Sequence, residues 1–353
     1  MRASPGEFIC WSEEERNYWF FSARDGLERF RQVAFAHSNE CELQEIARSD
    51  SGLPVYRLRL GCGRTQVAFL SGMHGPEPSG PRGLLTFLDM LLNGAKPFGI
   101  SVDASRILST LTLNLFPLMN PGGAERFSHH FPDCWHPTWL PNWDDADIAR
   151  FYAEGNEPNK FFNGSYVKTP PMRFTPQQIA QWEATGHELG SSLTDGGLDM
   201  WFDWDDTQAP ETRAVKAALS AIRPLCVADY HNFMFPSEVF APTPYSQGKL
   251  RQDEIDLALA VQREWHKRGL PFHERPPRPY TPPREKYHED YWIHSLGARA
   301  LIVEFNGGKL VREGAEYEPT PATRPLTRKE SLESAVTATI AIVEHLAEVA
   351  PAL

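Results

Sequence analysis

His74 and Glu77 stand three residues apart in the stretch VAFLSGMHGPE, residues 67–77. An imidazole and a carboxylate at that spacing can turn toward one cation, and such a pair becomes a catalytic zinc set when a third ligand arrives from elsewhere in the chain. Taken alone, the pair is more often a structural histidine beside a surface glutamate. Its position gives it weight. Val67 to Leu70 is a short apolar run punctuated by Gly72, the signature of a buried strand, and Arg82 to Leu92 carries an apolar face at helical spacing. The pair therefore sits where a strand ends and a helix begins, which is where α/β folds build sites.

Two later strands end in residues of the same chemistry. Pro224 to Tyr230 reads as a buried strand closing on Asp229-Tyr230-His231-Asn232, so His231 occupies a second strand terminus, as a third ligand should. Ala300 to Phe305 is strongly apolar except for Glu304. A carboxylate in such a strand needs a partner, because burying it alone is costly. A structural ion pair is one account; a proton taken from water or substrate is the other, favoured by the two candidate ligands at analogous strand ends.

The elements that must position these residues follow from periodicity. Ser12 to Phe35 starts as a capped, acid-first helix, and its aromatics Tyr18 to Phe21 read as packing. Glu42 to Ala47 and Val55 to Leu60 alternate like strands around the turn Ser49-Asp50-Ser51-Gly52, and with Gln66 to Ser71 they read as successive strands of one sheet. The helix after His74 stops at Asn93-Gly94. Leu111 to Leu118 is a further strand running into the turn Asn120-Pro121-Gly122-Gly123. Glu211 to Ile222, Asp253 to Arg268 and Arg328 to Val349 read as helices, and the proline-dominated run from His273 to Arg284 as an extended loop.

Between residues 124 and 197 the periodicity breaks down, leaving one helical piece near Thr175 to Leu189. A long irregular stretch of this kind is a lid, a binding loop or an insertion. His129, His130 and His136 lie in it without ligand-like spacing and read as surface or packing residues.

The chain of 353 residues is long enough for a sizeable core and carries a net charge of -11, which argues against nucleic acid and anionic membrane as partners. No stretch reads as a signal peptide or a membrane span, so a cytoplasmic address is expected. The five cysteines are widely spaced and never form C-x-x-C, consistent with reduced thiols. Any metal must therefore be held by histidine and carboxylate.

The order of these parts resembles the zinc metallocarboxypeptidases and their deacylase relatives. The likeness begins at EIARSDSGLPVYRLRLG and continues through His74-Gly75-Pro76-Glu77, close to the family's H-x-x-E. It passes Asn120-Pro121-Gly122-Gly123, Gly197-Leu198-Asp199, Pro210-Glu211-Thr212-Arg213 and Asp229-Tyr230-His231, and reaches Glu304. The resemblance implies one domain over residues 1–353, with a helical extension over about 1–40 and the irregular insertion over about 124–197. Its fold would be a mixed, mostly parallel, eight-stranded twisted sheet flanked by helices. It further implies one Zn²⁺ per chain on His74, Glu77 and His231, with Glu304 as general base. Asp199 would orient a metal-bound imidazole, and Arg126 would stabilise the oxyanion.

One departure bears on substrate. The family follows its G-x-D with an Asn-Arg pair that clamps the terminal carboxylate of the substrate, and here those positions hold Trp201 and Phe202. Neither aromatic supplies the charged, bidentate donor a carboxylate needs. With Asp203, Asp205 and Asp206 nearby, the segment could line a pocket for an apolar, aromatic or cationic group. Alternatively it packs under the insertion while Arg126 or another arginine does the clamping. Asn120, Trp201, Phe202 and Tyr287 are the candidate substrate contacts, with Tyr280 and Tyr291 also placed to cap a substrate. Expected substrates are a short peptide or an N-acyl amino acid. The other readings are a catalytically silent binding module, or core histidines that bind no metal.

Overall fold

In the computed structural model, the described residues are 13–20, 22–75, 77–130, 193–234, 236–280, 289–306 and 328–350. The strands among them are β1 (Cys41–Arg48), β2 (Pro54–Leu60), β3 (Thr65–Ser71), β4 (Leu111–Phe116), β5 (Cys226–Met234), β6 (Glu238–Phe240) and β7 (Arg299–Asn306). They form one sheet in the order β1-β2-β4-β3-β5-β7-β6.

The four central strands β4, β3, β5 and β7 run parallel, whereas β1, β2 and β6 join antiparallel at the margins. The sheet is thus mixed as expected, but it has seven strands among the described residues rather than eight, and antiparallel pairings are as numerous as parallel ones. The short Ser49–Gly52 turn explains the first antiparallel pair, since a link that short cannot return a parallel strand. Nor are the first three strands neighbours in sequence order: β4 lies between β2 and β3.

The helices flanking the sheet include α1 (Glu13–Tyr18), α2 (Ala23–Ala36), α3 (Ser79–Asn93), α4 (Ala104–Thr110), α5 (Pro121–His130), α6 (Pro210–Ile222), α7 (Gly248–Lys267), α8 (Glu289–Ser295) and α9 (Arg328–Val349). The expected N-terminal helix divides in two at Trp19 and Phe20. Both rings are buried, and the Arg82 guanidinium stacks 3.6 Å from the Trp19 ring while donating to the Phe20 carbonyl. Ser22 Oγ restarts the chain as α2 by accepting from the Asp25 amide. Ser12, the expected cap of α1, lies outside the described residues, as does the helical piece near Thr175 to Leu189. Gly94 ends α3 with a left-handed φ of 67°, the stop that Asn93-Gly94 predicts. The segment Asn120-Pro121-Gly122-Gly123 differs from expectation. It opens α5, because proline fits a first helical turn and Asn120 Oδ1 accepts from the Gly123 amide.

Side-chain alternation splits the central strands between two cores. Val67 and Phe69, Ala228 and Tyr230, and Leu301, Val303 and Phe305 join one cluster with α3, α7 and α9. Ala68 and Leu70, Val227, and Ala300 and Ile302 face a second cluster built with Trp201, Phe202, Trp204 and the α6 residues Val215 and Leu219. His231 and Glu304 fall on this second face.

Candidate metal centre

Gly72, with φ of 64°, turns the chain out of β3 and presents His74 in the loop before α3. The exit of β4 runs beside that turn: Ser71 and Gly72 carbonyls accept from the Met119 and Asn120 amides. Glu77 then precedes the N-terminus of α3, where the helix dipole favours a carboxylate. Gly80, one residue into α3, lets the helix approach closely, since a Cβ there would stand 2.7 Å from Tyr230 Cβ. That close approach brings the end of β5 against the His74 loop.

Asn232, directly after His231, ties the two ligand-bearing segments together. Its Oδ1 accepts from the Ser79 amide at 2.9 Å and its Nδ2 donates to Ser79 Oγ, which also contacts Ser331 Oγ of α9 at 2.7 Å. All three side chains are buried.

The result is a convergence of His74, Glu77 and His231, whose potential ligand atoms lie within 4.8 Å of one another. His74 Nδ1 is 2.9 Å from Glu77 Oε1, and His231 Nδ1 is 2.9 Å from Glu77 Oε2. The opposite ring nitrogens are also engaged, His74 Nε2 by Asp199 Oδ1 at 3.3 Å and His231 Nε2 by Asp229 Oδ2. Both imidazoles are thereby oriented through their Nε2 atoms, with their Nδ1 atoms turned to a common point.

Electrostatics supports the same assignment. Burial would push the His74 pKa down, but the Glu77 and Asp199 carboxylates hold it up at about 10; His231 is likewise raised against burial by Asp229 and Glu77. Glu77 is lowered to about 2, because the two imidazoles outweigh the cost of burying its charge. A carboxylate flanked by two imidazoles is a donor set that a divalent cation can bridge, and two nitrogens with one oxygen suit zinc.

Glu304 is 3% exposed and pairs in register with His231 across the parallel β5–β7 ladder, so both side chains leave the sheet on the same face. Asp199 Oδ1 accepts from the Trp201 amide at 2.9 Å as well as contacting His74, and the Trp201 ring stands edge-on to His231 with centroids 5.1 Å apart. Phe202 is buried in the same cluster. Asp203 is turned to another task, its two oxygens accepting from the Gln208 and Ala209 amides at the start of α6. Asn120 is buried beside Gly72, with its Oδ1 committed to capping α5. Arg126 belongs to α5, but its side chain lies outside the described residues, as do Tyr287 and the Tyr291 side chain. Tyr280 is described and packs between Trp201 and Phe240. His129 and His130 side chains, and His136, also lie outside.

Two features escaped the sequence reading. Asp229 backs His231 directly; residues two apart in a strand share a face, so the D-x-H spacing carried the signal. The Asn232–Ser79 contact joins residues 153 positions apart, and no local pattern points to it.

Comparison with known proteins gives a consistent picture. Residues 27–268 match the family model described as zinc carboxypeptidase. Among solved structures, the chain is similar to a metallo-carboxypeptidase from Burkholderia cenocepacia (14% identity, 95% of this chain and 69% of that one, TM-score 0.56). It is also similar to bovine thrombin-activatable fibrinolysis inhibitor in complex with tick carboxypeptidase inhibitor (13% identity, 96% and 99%, TM-score 0.56). A third is the Pseudomonas aeruginosa metallo-carboxypeptidase in complex with (2-guanidinoethylmercapto)succinic acid (14% identity, 91% and 68%, TM-score 0.52). At these identities the structural likeness shows the fold.

Proposed function

The chain belongs to the zinc carboxypeptidase family, and from that premise we propose that it hydrolyses an amide bond with one Zn²⁺ held by His74, Glu77 and His231. The observation that carries this reading is the convergence of those three side chains, with Glu304 in register beside His231 on the same face. When bound, the metal supplies Lewis acidity for the scissile carbonyl and lowers the pKa of water toward about 7.

The chain's own residues divide the remaining work. Asp199 and Asp229 keep the Nε2 sides of the two imidazoles occupied, which fixes ring orientation and directs Nδ1 inward. Glu304 takes the proton from the attacking water and delivers it to the leaving nitrogen. Arg126 supplies positive charge for the developing oxyanion.

Substrate recognition is non-standard in this reading, because Trp201 and Phe202 replace the Asn-Arg clamp. Trp201, edge-on to His231 and packed on Tyr280, forms an apolar wall with Phe202 buried in the same cluster, and Asn120 and Tyr287 complete the set of proposed contacts. A short peptide and an N-acyl amino acid both suit such a wall, and deacylation of the latter is the alternative reading. Among the described residues no helix is long and apolar enough to cross a membrane. The free thiols of Cys41, Cys62 and Cys226 suit the cytoplasmic address proposed for the protein.

The test is a panel of short peptides with free and amidated C-termini beside N-acyl amino acids, run with zinc on the parent protein and Glu304→Gln. Turnover of one class, falling about 10²- to 10⁴-fold in the variant, is expected. Near-parental turnover in Glu304→Gln would remove Glu304 from the mechanism.

A further inference from the structure

His231 stands where β5 loses its regular pairing on both sides. The parallel ladder with β3 ends at the pair Ser71 and Tyr230, and the ladder with β7 slips by one residue between His231 and Met234. Such a slip leaves an extra residue unpaired and lets the strand bend. The backbone around this metal ligand therefore needs support from outside the sheet, and α9 supplies it at two points.

Tyr230 and Asn232, the residues that flank His231, are both hydrogen-bonded toward α9. Tyr230 is joined directly. Its hydroxyl lies 2.8 Å from Thr339 Oγ1, and because Thr339 gives its own proton to the Ala335 carbonyl at 2.9 Å, the phenol is the donor. The Tyr230 ring is wedged between Phe305 and Phe69, with centroids 5.3 and 5.8 Å away.

Asn232 is joined through one intermediate. Its side-chain amide exchanges two hydrogen bonds with Ser79, and Ser79 Oγ meets Ser331 Oγ at 2.7 Å. Gly83, one turn after Ser79, makes this approach possible. A Cβ there would stand 2.4 Å from the Cβ of Ala335, which lies one turn after Ser331. Ser331 and Thr339 are 2% and 0% exposed, so water does not compete for either bond.

We infer that Ser331 and Thr339 of α9 are positioning residues for the metal centre: they hold the chain on both sides of His231 and so set how firmly its Nδ1 is presented to the ion. This rests on the proposed zinc site, and the experiment separates the two. An ion that binds only the folded chain has the same affinity for every folded molecule, so a loss of global stability alone does not weaken it. Zinc affinity is measured by competition with a chromophoric chelator, and the visible absorption of the Co²⁺-loaded protein is recorded. The variants are Ser331→Ala, Thr339→Val, the two combined, Thr339→Ser, and Ile342→Val. Ile342 is fully buried in the same helix and takes no part in the two bonds.

Ser331→Ala and Thr339→Val should each weaken zinc binding about two- to tenfold, the worth of one hydrogen bond, and the double variant by more than either. The Co²⁺ bands should shift in the same variants. Thr339→Ser keeps the hydroxyl and should stay within about twofold of the parent, as should Ile342→Val, whose cost falls on unfolding instead. Parental affinity and spectrum in the double variant would overturn the inference, and so would an equal loss of affinity in Ile342→Val. The two single variants carry the same test if the double variant does not fold. A folded parent that binds neither ion would overturn the zinc site, and the inference with it.

Discussion

Glu304 and Phe305 are neighbours in the chain and belong to opposite halves of the molecule. Phe305 points into the apolar cluster beneath α7 and α9, where Tyr230 meets it edge-on at 5.3 Å and Trp265 at 6.3 Å. Glu304 points to the other face, in a row with His231 and Glu238. One face of the same strands is thus built for packing and the other collects buried charge. The sheet therefore holds the site by being sealed on its far side, so the two faces should respond differently to substitution.

The largest contrast is expected at that pair of neighbours. Phe305→Ala should lower unfolding free energy by about 3–5 kcal/mol while activity per folded molecule persists, because it opens a cavity on the sealed face. Glu304→Gln should do the reverse, keeping the denaturation midpoint near the parental value while turnover falls. Equal stability losses from the two would contradict this division of the sheet's faces.

A second effect of buried charge is expected at Glu211 of α6. This side chain is 1% exposed, and its Oε2 has no hydrogen-bond partner among the described residues. Burial, reinforced by Asp195, Asp50 and Asp203, raises its pKa to about 7. A raised folded-state pKa means that the native state holds the proton more tightly than the unfolded chain does. Its stabilisation is present below about pH 4.5 and is lost as pH rises through about 7. Glu211→Gln should therefore gain about 3 kcal/mol in urea unfolding at pH 8 and close to nothing at pH 4.5. A gain that is the same at both pH values would contradict the assignment.

Smaller effects are expected behind the metal ligands. Asp229→Asn should weaken zinc binding about 10- to 100-fold in competition with a chromophoric chelator, since it removes the carboxylate that orients His231. Asn232→Ala should weaken it by less than about tenfold, the cost of loosening the tie between β5 and the start of α3. If Asn232→Ala were the more severe, the tie would matter more to the site than the orienting carboxylate does.

Much of this was legible in the sequence because it depends on short-range pattern. Short apolar runs bounded by turn residues reveal β3, β5 and β7, and His74, His231 and Glu304 stand out as polar residues at or near the ends of those runs. Asn93-Gly94 announces the end of α3 by its backbone chemistry alone. Asn120-Pro121-Gly122-Gly123 was ambiguous because a turn and a helix start use the same residues, and only the Gly123 amide bond to Asn120 separates them. Strand order was not legible, since the placement of β4 between β2 and β3 is set by tertiary pairing. The Tyr230–Thr339 bond and the Asn232–Ser79 tie were hidden for the same reason, each joining segments that are distant in the chain.

Zinc content of the purified protein tests the central claim most directly. The account predicts close to one zinc per chain in the parent, removable by chelator and restored on adding zinc, and its loss in His231→Ala with the fold retained by circular dichroism. A well-folded parent that carries no zinc and takes up none on addition would contradict it.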